Sequence, residues 1–157
     1  HGLMGKQSLY DHSVRVPLVF AGPGIPQGKT TDAFACLLDI FPTLCELSGC
    51  DVPKSVDGRS LVSEIQGGGP GRETLYLAYR DLHCGVRTRT HKLIEYVVNG
   101  QHAQTQLSDM LKDPWEMENL ADDPAHAEIL NALRQELFRL RDEWQDGPSQ
   151  WGQVFWR

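Results

Sequence analysis

A leucine stripe near the C-terminal end most constrains how this chain can fold. After Asp122-Asp123-Pro124 the sequence runs from Ala125 to about Trp144 with no further proline or glycine, and Leu130, Leu133, Leu137, Leu140 and Trp144 recur at alternating three- and four-residue spacing. That period puts all five side chains on one face of an α-helix, and such a face has to be covered. The cover stands upstream. Leu75–Tyr79, Cys84–Arg89, Lys92–Val98 and Thr105–Leu111 read as short strands rich in β-branched, aromatic and aliphatic residues, and Asn99-Gly100 is a two-residue hairpin signal between the last two. The expectation is a small antiparallel sheet covered by the long helix.

The first half reads differently. Val14, Val16, Leu18, Val19, Phe20 and Ala21 form a nearly continuous apolar run ended by Gly22-Pro23-Gly24, which predicts a buried strand entering a turn. Asp39 stands as an N-cap acid before Ile40-Phe41-Pro42, a proline is tolerated in a first helical turn, and Gly49 ends the pattern, so a helix is predicted over Ile40–Ser48. A short helical piece over Ser60–Ile65 follows the Asp57-Gly58 turn, and Gly67-Gly68-Gly69-Pro70-Gly71 then interrupts the chain. These signals divide the sequence into residues 1–66 with α/β character, a glycine-rich linker at 67–71, an antiparallel subdomain with its helix at 72–144, and an aromatic tail at 145–157 that holds Trp151, Phe155 and Trp156. The tail lacks periodicity and has either to dock or to expose its rings.

Composition excludes several classes of function. A formal net charge of −6 argues against a nucleic-acid backbone as partner, which needs clustered Lys and Arg. Apolar runs such as Val16–Ala21 fall far short of the roughly 20 residues of a membrane span. Gly22, Gly24 and Gly28-Lys29-Thr30 suggest a phosphate-cradling loop, but Gly22 leaves five residues and Gly24 three where the motif needs four, and Pro23 and Pro26 remove backbone donors. None of the six histidines pairs at HxxxH or HExxH spacing, and no calcium-loop pattern occurs. Cys36, Cys45, Cys50 and Cys84 form no CxxC pattern; they read mostly as small apolar residues, with a Cys45–Cys50 bridge left open. His83 and His91 flank a predicted strand and are candidate ligand-facing residues, the alternative being ordinary surface or core imidazoles. Lys6 stands among small and polar residues just ahead of the apolar run, where loops commonly carry sites.

Taken together, several stretches carry a resemblance. HGLMGKQSLYDHSVRVPLVFAGPGIP resembles the sulfatase family of the alkaline-phosphatase-like superfamily, in the part that follows the family's Asp-His-Gly metal motif. Leu38-Asp39-Ile40-Phe41-Pro42-Thr43-Leu44, with Gly49, Pro53 and Asp57-Gly58-Arg59-Ser60-Leu61, resembles its D-x-x-P-T-L and D-G-x-S-L succession. Val86-Arg87-Thr88 with His91-Lys92-Leu93-Ile94 resembles its V-R-T-x-x-x-K-L-I strand pair. Gln106-Leu107-Ser108-Asp109-Met110, then Asp113-Pro114, Glu116 and Asn119-Leu120-Ala121, resembles its E-L-Y-D-L and D-P-x-E-x-x-N-L-A stretch, with Gln106 for the usual acid and Ser108 for the usual aromatic. The resemblance covers residues 1 to about 144.

It implies an α/β fold, the C-terminal part of the alkaline-phosphatase-like sulfatase fold, followed by the small antiparallel sheet and its helix. It also implies hydrolysis of sulfate monoesters, with a formylglycine made from a C/S-x-P-x-R motif and calcium or a similar divalent ion. Neither that motif nor the acidic metal motifs occur in these residues, so the chain is expected to be a C-terminal portion that is inactive alone and holds no cofactor itself. Lys6 matches the family lysine that binds the sulfate group, where an ammonium stabilises developing negative charge. His1 matches a family histidine near the site, and His83 and His91 join it as candidate substrate-binding residues. The implied partner is a sulfated small molecule or glycan, in a periplasmic or extracellular setting, with self-association through an exposed apolar face. The rivals are a phosphonate or phosphate ester hydrolase of the same superfamily and a non-catalytic, sulfatase-derived binding module.

Overall fold

The computed structural model describes residues 7–157. The chain divides into two compact units: one joins the residues up to Val16 to Thr74–Arg157, and the other is Pro17–Glu73.

The first unit is built on a four-stranded antiparallel sheet in the order β1-β2-β3-β4, from β1 (Leu75–Tyr79), β2 (His83–Arg87), β3 (His91–Val98) and β4 (Gln101–Asp109). The expected sheet is therefore present. Asn99 and Gly100 both take positive φ, 52° and 72°, as the two-residue turn requires, so β4 starts directly at Gln101 rather than at Thr105. The predicted helix is also present. Asp123 accepts from the Ala125 amide at 2.9 Å, Pro124–His126 form a 3-10 turn, and α4 runs Ala127–Glu143. Leu130, Leu133, Leu137 and Leu140 are buried against Cys84, Val86, Leu93 and Leu107 of the sheet. Each such burial contributes about 1.5–3 kcal/mol, which makes this the main core of the unit.

The aromatic tail docks. Short helix α5 (Gly152–Phe155) places Phe155 in the same core, and Asp146 gathers the neighbouring donors. Tyr76 Oη donates to its carboxylate at 2.7 Å and Trp156 Nε1 at 2.9 Å.

The second unit centres on α2, Ile40–Ser48, which ends as expected at Gly49 with φ 71°. A 3-10 turn, Leu37–Asp39, leads into it, and a short α3 follows at Val62–Ile65. Asp39 stands at the N-cap position of α2 as expected, but its side chain bonds no amide of that helix. It is fully buried inside the 3-10 turn, and its carboxylate accepts from the amides of Cys36 (2.8 Å) and Arg59 (2.9 Å) and from the Arg72 guanidinium. Thr43 Oγ1 donates to the Asp39 carbonyl at 2.6 Å and accepts from the Leu61 amide at 2.9 Å. Gly58 passes so close that a Cβ there would stand 2.0 Å from the Leu38 carbonyl oxygen. The D-x-x-P-T-L and D-G-x-S-L residues therefore hold this unit together.

The buried strand expected over Val14–Ala21 does not form. A one-turn helix α1, Asp11–Val14, is followed by extended chain with no ladder partner among the described residues, and Val16, Leu18 and Val19 are exposed. An apolar run takes strand structure only when a neighbouring strand accepts its backbone bonds.

Candidate functional site

The two faces of the sheet differ in chemistry. Alternation along the paired strands sends Val86, Leu93 and Leu107 towards α4, and His83, Gly85, Arg87, Lys92, Ile94, Tyr96 and Gln106 to the opposite face. Residues 8–14 cover that second face. Leu9 and Tyr10 are buried with Ile94 and touch Val14, Leu77, Tyr79 and Tyr96. Close approach depends on Gly85, where a Cβ would lie 2.6 Å from the Leu93 carbonyl oxygen and 3.4 Å from Leu9 Cδ1.

Beside this apolar patch lies a buried ionic cluster. Lys92, 1% exposed, directs Nζ to Glu116 Oε1 at 2.9 Å, to the Leu9 carbonyl at 3.1 Å and to the Asp11 carboxylate. The Arg87 Nε stands 3.7 Å from Asp11 Oδ1, and burial holds its guanidinium below its ordinary pKa against the pull of Asp11 and Glu116. The other Glu116 oxygen accepts from the Asp11 amide at 2.6 Å. Two cations thus face two carboxylates, and all four tie the opening segment to β2, β3 and the loop after β4.

The remaining polar groups on this face form a second set. Tyr10 Oη donates to Gln106 Oε1 at 2.6 Å, with Tyr96 Oη 3.4 Å from both; burial raises the Tyr96 pKa, so it stays a neutral donor. His83 lies edge-on to Tyr96 at 4.7 Å and tilted to Tyr79 at 5.9 Å. Its Nδ1 is buried without a hydrogen-bond partner among the described residues, and burial lowers its pKa below the ordinary imidazole value.

Of the residues singled out in the sequence, His1 and Lys6 lie outside the described residues. His83 and His91 are not brought together: they stand at opposite ends of the β2–β3 pair and on opposite faces. His91 is the first residue of β3, with Nδ1 2.9 Å from Thr90 Oγ1 and burial lowering its pKa. Cys45 and Cys50 are free thiols, as are Cys36 and Cys84. Burial pushes the Cys84 thiol up to about 12 and also raises Cys36, so neither is a thiolate nucleophile near neutral pH. Sequence reasoning assigned no role to Asp11, Lys92 or Glu116. The available signal was a lysine inside the apolar run Leu93-Ile94, where a charge is out of place unless paired. Among the described residues no three His, Cys, Asp or Glu side chains group so as to hold a metal ion.

The Lys92 cluster is where the opening segment, the strand pair and the loop after β4 meet, and these are three of the stretches that carry the sulfatase resemblance. The family described as "N-sulphoglucosamine sulphohydrolase, C-terminal" matches residues 1–143. The chain belongs to this sulfatase family. A Δ4,5-hexuronate-2-O-sulfatase of Bacteroides thetaiotaomicron is 36% identical over 145 residues, covering 83% of this chain and 29% of that protein. A solved protein in complex with its substrate D-glucosamine-2-N,6-O-disulfate aligns with TM-score 0.62 and 26% identity, over 70% of this chain and 24% of its own. The phosphonate monoester hydrolase of Silicibacter pomeroyi aligns with TM-score 0.77 and 25% identity, over 88% of this chain and 31% of its own. The chain thus spans under a third of the length of these relatives. Its sheet and covering helix belong to the alkaline-phosphatase-like sulfatase fold.

Proposed function

We propose that the protein carrying this chain hydrolyses sulfate monoesters of a sulfated saccharide. The observation that supports this most is the family match across residues 1–143, which includes the opening segment with Lys6. Lys6 binds the sulfate group in this reading: its ammonium offsets charge that grows on the sulfate and leaving oxygen as the ester bond breaks, an effect large in a dehydrated site. His1 is a candidate substrate-binding residue by the same resemblance. His83 faces substrate with a buried nitrogen that has no partner among the described residues, and His91, at the start of β3, is the other candidate substrate contact in this reading.

Sulfatases supply a formylglycine nucleophile and a divalent ion such as calcium. The described residues offer no group that fits a metal, and the sequence has no C/S-x-P-x-R motif, so no step is drawn through either group on this chain. The 157-residue chain alone is inactive in this reading.

The isolated chain also self-associates in this reading. Leu37, Phe41, Leu44 and Leu47 line one exposed side of α2 and its lead-in, and Val19 is 85% exposed. The reading places the protein in the periplasm or outside the cell. Among the described residues no helix is long and apolar enough to cross a membrane.

The likeness to a phosphonate monoester hydrolase favours one other reading, a phosphonate ester hydrolase. Rates of the complete protein on matched aryl sulfates and aryl phosphonates decide between them: faster sulfate turnover supports the proposal, and faster phosphonate turnover replaces it.

A further inference from the structure

We propose that Cys45 and Cys50 form a reversible disulfide that closes the C-terminal end of α2 in an oxidising setting. The structure holds both as thiols, the reduced form of the pair. The setting rests on the periplasmic or extracellular reading given above; the chemistry of the pair does not.

The end of α2 brings the two residues together. The Gly49 amide donates to the Glu46 carbonyl at 3.2 Å and the Cys50 amide to the Cys45 carbonyl at 2.8 Å, with Gly49 left-handed at φ 71°. These two bonds define a Schellman ending, in which the residue after the left-handed glycine packs its side chain on the residue five positions before it. Here those residues are Cys50 and Cys45. A main-chain hydrogen bond between two residues holds their Cα atoms at about 5–6 Å, where disulfides are commonest.

Access favours the same pair. Cys50 is exposed and Cys45 half-buried, whereas Cys84 is buried, and burial raises the thiol pKa of both Cys84 and Cys36. The Cys50 thiolate attacks a small-molecule disulfide, which releases one thiol and leaves a mixed disulfide on Cys50. The Cys45 thiolate then attacks the Cys50 sulfur and releases the second thiol. Two protons and two electrons pass from the cysteines to the two released thiols. The bridge also has something to hold: residues 49–55 are exposed, and the chain returns to Asp39 at Arg59, whose amide donates to the Asp39 carboxylate. A covalent tie at Cys50 shortens that free stretch at its helix end.

The test equilibrates the complete protein in glutathione buffers running from all thiol to mainly disulfide, blocks the remaining thiols with an alkylating agent, and digests with a protease that cuts after glutamate. Cleavage after Glu46 leaves Cys45 and Cys50 on separate peptides that only a bridge keeps together. The expected result is a linked peptide pair that grows with the disulfide share of the buffer and is lost on return to thiol buffer. Cys45→Ser is expected to stop one step earlier, with glutathione retained on Cys50. Separate, alkylated peptides at every buffer ratio overturn the proposal. So does a wild-type protein that keeps glutathione on Cys50, or one in which Cys50 links to a cysteine other than Cys45. No arm of the test measures hydrolysis, so its failure leaves the sulfatase reading standing.

Discussion

Glu116 accepts a hydrogen bond from the Asp11 amide at 2.6 Å across 105 residues of sequence. The same carboxylate pairs with Lys92 through its other oxygen, at 2.9 Å. The opening segment is therefore joined to the sheet by charge as well as by the apolar contacts of Leu9 and Tyr10.

Lys92→Ala leaves the Asp11 and Glu116 carboxylates uncompensated in a buried place. The expected loss is about 3–5 kcal/mol, read as a fall in the urea midpoint followed by tryptophan fluorescence. Arg139→Ala is the control. Its bridges to Glu136 and Glu143 lie on the exposed face of α4, and its loss is about 1 kcal/mol or less. Equal effects of the two substitutions would contradict the burial argument.

His83 gives stability an acid limb. Burial lowers its folded pKa below the ordinary imidazole value of 6.5, so the unfolded chain binds a proton more readily. The neutral ring is compatible with the fold above 6.5, and stability falls as the pH drops below that value. His91 is shifted the same way and adds to the slope. His83→Phe, which keeps a ring beside Tyr79 and Tyr96, is expected to flatten part of the stability loss between about pH 6.5 and 5. An unaltered slope would show that His83 does not titrate on unfolding.

On the proposed reading, the exposed side of α2 drives association of the isolated chain. Sedimentation is expected to show concentration-dependent association together with binding of an apolar dye. Phe41→Gln with Leu44→Gln should abolish both, since these residues are 53% and 52% exposed and support no core. A wild-type chain that stays monomeric and binds no dye would count against the proposed association.

Much of the fold was legible because its signals are local. The bounds of α2 follow from Pro42 in the first turn and Gly49 at the end, the β3–β4 turn follows from Asn99-Gly100, and the α4 stripe follows from leucine spacing. What failed depended on partners. The Val14–Ala21 run is apolar enough for a strand but has no ladder to join among the described residues, and Asp39 holds the cap position while its carboxylate reaches Arg59 and Arg72 far along the chain. The Lys92 cluster was invisible for the same reason: Asp11, Arg87, Lys92 and Glu116 share no local pattern, and strand register brings only Arg87 and Lys92 together, Asp11 and Glu116 reaching them from α1 and the loop after β4. Lys6 and His1 were named from resemblance and lie outside the described residues.

The most direct test of the sulfatase account is hydrolysis of a sulfated saccharide by the complete protein and its Lys6→Ala variant. The account predicts turnover by the wild type and a fall in kcat of about 100-fold or more in the variant, as for loss of one charge-stabilising donor. A variant that turns over the sulfate ester as fast as the wild type, or a wild type that leaves it untouched, would contradict it.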